Sequence, residues 1–177
     1  MTVTVKIASR AASIIYGLAK TRAQEEGVWL LPANICPAVP LALMSANRQF
    51  EFIDIDPGTL SLDVDLTQKR LIASNVSDVA GIIYVRSFGV EQFAVKDLAR
   101  IAAVKSGDVY LVDDRCLSVP DVDPRCILAT AADVALFSTG YGKVLDLGYG
   151  GYAFMRKEID CEQFPEDFER GAFTALM

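Results

Sequence analysis

The chain has 177 residues, which suits one domain that buries roughly 70% of its unfolded surface and leaves no room for a second full domain. A formal charge of -6 with no cluster of Lys and Arg excludes a nucleic-acid or acidic-lipid surface, because such binding depends on basic groups displacing counterions. The 52% hydrophobic content comes in runs such as Val79 to Val85, far too short to cross a bilayer, so no membrane partner is expected. Met1 to Arg10 lacks the features of a secretory leader, which implies a cytoplasmic protein. Cys36, Cys116, Cys126 and Cys161 are scattered without paired spacing, and histidine is absent, so no metal site is expected. Chemistry here must use Lys, Asp, Cys or a cofactor.

In chain order, Ala8 to Gln24 has apolar residues at helical spacing (Ile14, Ile15, Leu18, Ala19), with Ser9 as the expected N-cap. Val28 to Leu31 reads as a strand stopped by Pro32, Pro37 to Ala46 as a buried helix, and Phe50 to Ile55 as a strand ending in the turn Asp56-Pro57-Gly58. Val64 to Ser74 suits a short helix. Val79 to Val85 is continuous and rich in β-branched residues, as a strand covered on both faces would be, and Gly89 ends that segment. Val95 to Val104 follows as an amphipathic helix, then strands at Val109 to Val112, Val134 to Phe137 and Gly151 to Met155. The tail from Lys157 to Met177 is charged and aromatic, with a helix expected.

Strands alternating with helices at this spacing imply βαβ crossovers and a mostly parallel sheet covered on both sides, an α/β three-layer sandwich. Ligands in such sheets bind beyond the carboxyl ends of the strands, so the residues after Val85, Val112 and Phe137 are the places to search. After Val112 come Asp113 and Asp114. Side chains alternate across a strand, so these acids face opposite ways and do not form a catalytic pair. After Phe137 comes Ser138-Thr139-Gly140-Tyr141-Gly142-Lys143, then the turn Gly148-Tyr149-Gly150-Gly151.

Neither nucleotide-binding pattern accounts for Lys143. A phosphate loop needs glycine and a hydroxyl residue where Phe137 and Val144 stand, and the dinucleotide fingerprint fails at Leu145. The order of an acid at a strand end, Ser138 five residues before Lys143, and a Gly-x-Gly-Gly turn instead resembles the DegT/StrS sugar aminotransferases. Two further segments carry the resemblance: Phe52-Ile53-Asp54-Ile55-Asp56 followed by Leu62-Asp63, and Val85-Arg86-Ser87-Phe88-Gly89. It spans most of Lys6 to Phe154.

The resemblance implies the large domain of a fold-type-I pyridoxal-phosphate transferase, here as one domain over residues 1–177 with the small C-terminal domain and the leading segment missing. It implies that Lys143 is the Schiff-base lysine and proton carrier, and that Asp114 holds the pyridine nitrogen protonated while Asp113 is structural. Ser138 is then a phosphate-binding hydroxyl, Ser9-Arg10-Ala11 an altered phosphate cradle at a helix N-terminus, and Cys36 falls near the residue that stacks on the ring. Pyridoxal 5'-phosphate is the implied cofactor, a homodimer the implied assembly, and a small molecule, a nucleotide-linked keto sugar, the implied substrate.

The sequence departs from that family at Arg86, Arg10, Leu117 and Cys36, where a His, a Gly, a Gln and an aromatic residue are usual. Two functions therefore stay open. The chain is an aminotransferase of sugar-nucleotide type, or it is a non-catalytic relative that serves as a binding or interaction module or as half of a split enzyme. Without the family context Lys143 is a solvated surface lysine, Asp114 a cap or a partner of Arg115, and the two serines ordinary strand-end and cap residues.

Overall fold

The computed structural model describes residues 3–21, 27–73, 78–87 and 91–156, with the backbone alone at 91 and 92. The chain runs through β1 (Thr4–Ala8), α1 (Ala11–Lys20), β2 (Val28–Pro32), α2 (Ala38–Ser45), β3 (Phe50–Ile53), α3 (Val64–Ala73), β4 (Val79–Val85), α4 (Glu91–Ala102) and β5 (Tyr110–Asp114). A 3-10 helix (Pro124–Ala129), β6 (Val134–Ser138) and β7 (Gly151–Met155) complete it. The described strands form one seven-stranded sheet in the order β1-β7-β6-β5-β4-β2-β3. Strands β6, β5, β4, β2 and β3 are mutually parallel, and β7 runs antiparallel to both β6 and β1. The expected three-layer α/β architecture is therefore present.

Parity along the strands decides what covers each face. Trp29, Leu31, Ile83, Val85, Val112 and Leu136 pack with Ile14, Ile15, Leu18 and Leu43 of α1 and α2. Their neighbours Leu30, Ile82, Tyr84 and Leu111 point the other way and pack with Ala94, Leu98 and Ile101 of α4 and Val64 at the start of α3. Beyond that layer, Ile127 of the 3-10 helix packs with Ala135, Phe137 and Phe154 on the same side of the sheet. Every residue of β4 is buried, as its unbroken apolar run predicts. Gly81 in the middle of β4 lies under the Trp29 ring, where a Cβ would come within 2.5 Å of a ring carbon. That glycine is what allows the largest core side chain to lie flat across the sheet.

The structure differs from the sequence reading at both ends of the first helix, which stops at Lys20, while Gln24, where it was expected to end, lies outside the described residues. Residues Thr4–Ala8 form an edge strand paired with β7, so α1 begins at Ala11 and not at Ala8. Arg10 is the N-cap, with extended backbone (φ -149°, ψ 153°), and no side chain caps the helix. Ser9 lies one residue outside it, with its Oγ 3.5 Å from Ser13 Oγ. The strand from Phe50 ends at Ile53, and Ile55 instead forms an isolated bridge with Leu62. The helix expected from Val95 starts earlier, at Glu91, and the 3-10 helix was not expected at all. Gly89 and the tail from Lys157 to Met177 lie outside the described residues.

Candidate active site

The carboxyl ends of β5 and β6 bring the candidate residues to one face of the sheet. Val112 and Leu136 both pack against α1 and α2, so Asp114 and Ser138, two residues further along each strand, share that face. Asp114 pairs in register with Leu136, and Ser138 with Gly151. The start of α1 is joined to the same place. Arg10 bridges Gly150, Ser9 accepts a hydrogen bond from the Gly150 N–H at 2.7 Å, and a Cβ on Gly151 would fall 2.2 Å from Ala11 N. The Gly-Gly pair thus lets the β6–β7 turn touch the helix N-terminus directly.

Asp113 and Asp114 have separate roles, as strand parity requires. Asp113, fully buried, accepts Nε–H and Nη2–H of Arg86, both at 2.7 Å, and Nε–H of Arg115 at 2.9 Å. Arg115 also reaches the Cys126 carbonyl and lies over the Phe137 ring. Arg115 therefore serves Asp113, and Asp114 is left to the opposite face. This two-arginine lock was not visible in the sequence, because its members come from the ends of two strands and act across the sheet.

Asp114 is 5% exposed and accepts the Cys116 N–H at 2.9 Å. Burial pushes its carboxyl above the usual carboxylate range, while hydrogen bonding from Cys116 and the positive charge of Lys143 pull it back down. Burial likewise pushes the Cys116 thiol well above its ordinary value. The charge of Asp114 adds to that rise, Lys143 opposes it, and Cys36, exposed just before α2, is close enough to add a little more. Cys116 thus lies within electrostatic reach of Asp114, Lys143 and Cys36, and Asp114 within reach of Lys143. Among the described residues the Lys143 ammonium has no hydrogen-bond or ion-pair partner.

The loop between β6 and β7 carries Lys143. Its backbone N–H donates to the Gly140 carbonyl, and Thr139 ties the two ends of the loop, accepting from Leu147 N–H and donating its hydroxyl to the Tyr149 carbonyl. Ser138 Oγ accepts the Gly140 N–H at 3.3 Å. Asp146 accepts the N–H of Gly142 on one carboxylate oxygen and that of Gly148 on the other, both at 2.8 Å. Asp146 was missed in the sequence reading, although an Asp two residues before a glycine is a recognisable turn former.

The arrangement suits a pyridine ring bearing an anionic group. Asp114 is a buried carboxylate on which Lys143 is the cation with a resolved electrostatic influence. The first turn of α1 holds no acidic residue, and no side chain caps it, which suits an anion at this helix N-terminus. Two positions fit less well, since Cys36 offers no ring to stack and Leu117 is an exposed apolar residue with no hydrogen bond to offer. Among the described residues no group of three or more His, Cys, Asp or Glu could hold a metal ion, and no helix is long and apolar enough to cross a membrane.

No protein-family model matches the sequence, and no curated protein sequence does. Solved structures do. A DegT DnrJ EryC1 StrS aminotransferase from Brucella abortus superposes with a TM-score of 0.68 at 18% identity over 87% of this chain and 42% of its own. NtdA from Bacillus subtilis, solved with its cofactor PMP bound, gives 0.69 at 20% identity over 87% and 33%. The E. coli GDP-4-keto-6-deoxy-D-mannose-3-dehydratase with bound hydrated PLP gives 0.66 at 19% identity over 87% and 40%. The chain therefore spans 33% to 42% of the length of these three proteins. At these identities the likeness establishes the fold, which over the part of their length that the chain covers is that of the PLP-dependent aminotransferases and dehydratases of DegT/DnrJ/EryC1/StrS type.

Proposed function

We propose that the protein binds pyridoxal 5'-phosphate and transfers an amino group to or from a small molecule of the nucleotide-linked keto-sugar class, as a homodimer in the cytoplasm. One observation carries this reading: a buried strand-end carboxylate, Asp114, lies within electrostatic reach of Lys143, whose amine has no other partner among the described residues. Asp114 would hold a proton on the ring nitrogen, and the amides at Ser9-Arg10-Ala11 with the Ser138 hydroxyl would hold the phosphate. Cys36 would border the ring. When bound, the cofactor supplies an electron sink for a developing negative charge on the substrate carbon.

Lys143 Nζ would be both the attachment point and the group that takes up and returns the substrate proton, which requires its free amine. Asp114 is suited to its part because it is shielded from water. A carboxylate there forms a far stronger pair with a ring N–H than it would in solvent. The Asp113 lock holds the end of β5, and with it Asp114, in place.

Titration of the purified protein with pyridoxal phosphate tests this. A visible band should form with wild type, fail with Lys143→Ala and weaken with Asp114→Asn. No band in the wild type would leave the second reading, a fold relative that binds a partner without turnover or completes a split enzyme. The substitutions at Cys36 and Leu117, which remove the stacking ring and the hydrogen-bonding amide, are what favour that reading.

A further inference from the structure

The β6–β7 loop has little burial to hold it. Tyr141, Val144, Leu145, Leu147 and Tyr149 are all exposed, with Tyr141 at 89%. Its shape depends on hydrogen bonds, and some of these tie its ends, Thr139 to Tyr149 and Leu147, and Gly150 to Ser9. The middle, where Lys143 sits, is held by the Lys143 N–H to Gly140 carbonyl bond and by Asp146. Both amides that Asp146 accepts belong to glycines with positive φ, +73° at Gly142 and +77° at Gly148, a region other residues rarely enter. One of them is the residue directly before Lys143.

We propose that Asp146 is the positioning residue for Lys143: its carboxylate, one oxygen on the Gly142 amide and the other on the Gly148 amide, folds the loop so that the lysine side chain turns back towards Asp114. The two oxygens matter separately. An amide side chain keeps one acceptor and presents N–H to the second amide, so Asp146→Asn loses one of the two bonds, and Asp146→Ala loses both. With the loop released, the Lys143 amine moves out to solvent and away from the carboxylate. Exposed apolar neighbours do nothing to bring it back.

This inference rests on the reading of Lys143 as the reactive amine, so its test has one arm that needs no cofactor. Trace acetylation followed by peptide mass spectrometry reads the accessibility of each lysine, with exposed Lys69 and Lys96 as internal references. Lys143 should label more slowly than these in wild type, severalfold faster in Asp146→Ala, and at an intermediate rate in Asp146→Asn, with Lys105 unchanged. In parallel, capture of pyridoxal phosphate by Asp146→Ala should slow about tenfold, as expected when a reacting group is misplaced. Asn should again fall between.

Equal labelling of Lys143 in wild type and Asp146→Ala, in protein whose urea midpoint is unchanged, would overturn the inference while leaving the cofactor reading intact. A labelling shift in a protein that forms no band would overturn the cofactor reading and leave the positioning role of Asp146 standing. If Asp146→Ala fails to fold, the Asn variant decides alone.

Discussion

At Asp114 the sign of the pH dependence follows from burial. A carboxyl raised above its usual range binds its proton more tightly in the folded chain than in the unfolded one, so its contribution to stability is present in acid and is lost as pH rises through the raised value. Asp114→Asn mimics the protonated acid permanently. In the absence of cofactor it should therefore be more stable than wild type to urea at neutral pH, with the difference shrinking as pH falls below the ordinary carboxylate range. The same variant should bind pyridoxal phosphate more weakly. At Asp113 it is the charge itself that the fold uses, because two buried guanidinium groups are paired with it. Asp113→Asn removes the negative charge that they share and should cost about 3–5 kcal/mol in a urea titration. A loss under about 1 kcal/mol would mean that Arg86 and Arg115 find other partners.

Parity in the sequence separated these two acids, but it could not say which partners they have. Arg86 stands at the end of β4 and Arg115 just after β5, 27 and 2 residues from Asp113, and only the assembled sheet brings both to one carboxylate. Lys143 stood out through its glycine-rich setting and the resemblance that this setting supports. Ser9 misled as a cap because a serine before an apolar helix is a common signal, whereas the chain here enters α1 from a strand whose pairing fixes Arg10 as extended backbone.

Among the elements, the strands buried on both faces were legible, and so was the edge strand β3, but the edge strand β1 was not. β4 announces itself by an unbroken apolar run. β1 buries too little to do so, with Val5 50% and Ile7 77% exposed, and its place is set by the β7 ladder. The close approaches that fix the elements are equally invisible to patterning. Gly81→Ala forces a methyl into the Trp29 ring and should cost about 1–3 kcal/mol by urea denaturation. Gly151→Ala meets the α1 backbone itself, which cannot rotate aside as a ring can. The larger loss is expected there, together with weaker phosphate binding, because the helix N-terminus is displaced.

For the molecule as a whole, the loop that carries Lys143 leaves a row of apolar side chains uncovered. A surface of this kind next to a candidate site fits the proposed homodimer. Sedimentation should then give twice the monomer mass, with Tyr141→Ser combined with Leu147→Ser shifting the protein to monomer. A monomer in the wild type would weigh against turnover by this chain alone. The most direct single measurement is made on the covalent level: incubate the protein with pyridoxal phosphate, reduce with borohydride, digest, and locate the added mass. The account predicts a single stoichiometric adduct on Lys143. Adducts spread over exposed lysines such as Lys69 and Lys96, with none favoured at Lys143, would contradict it.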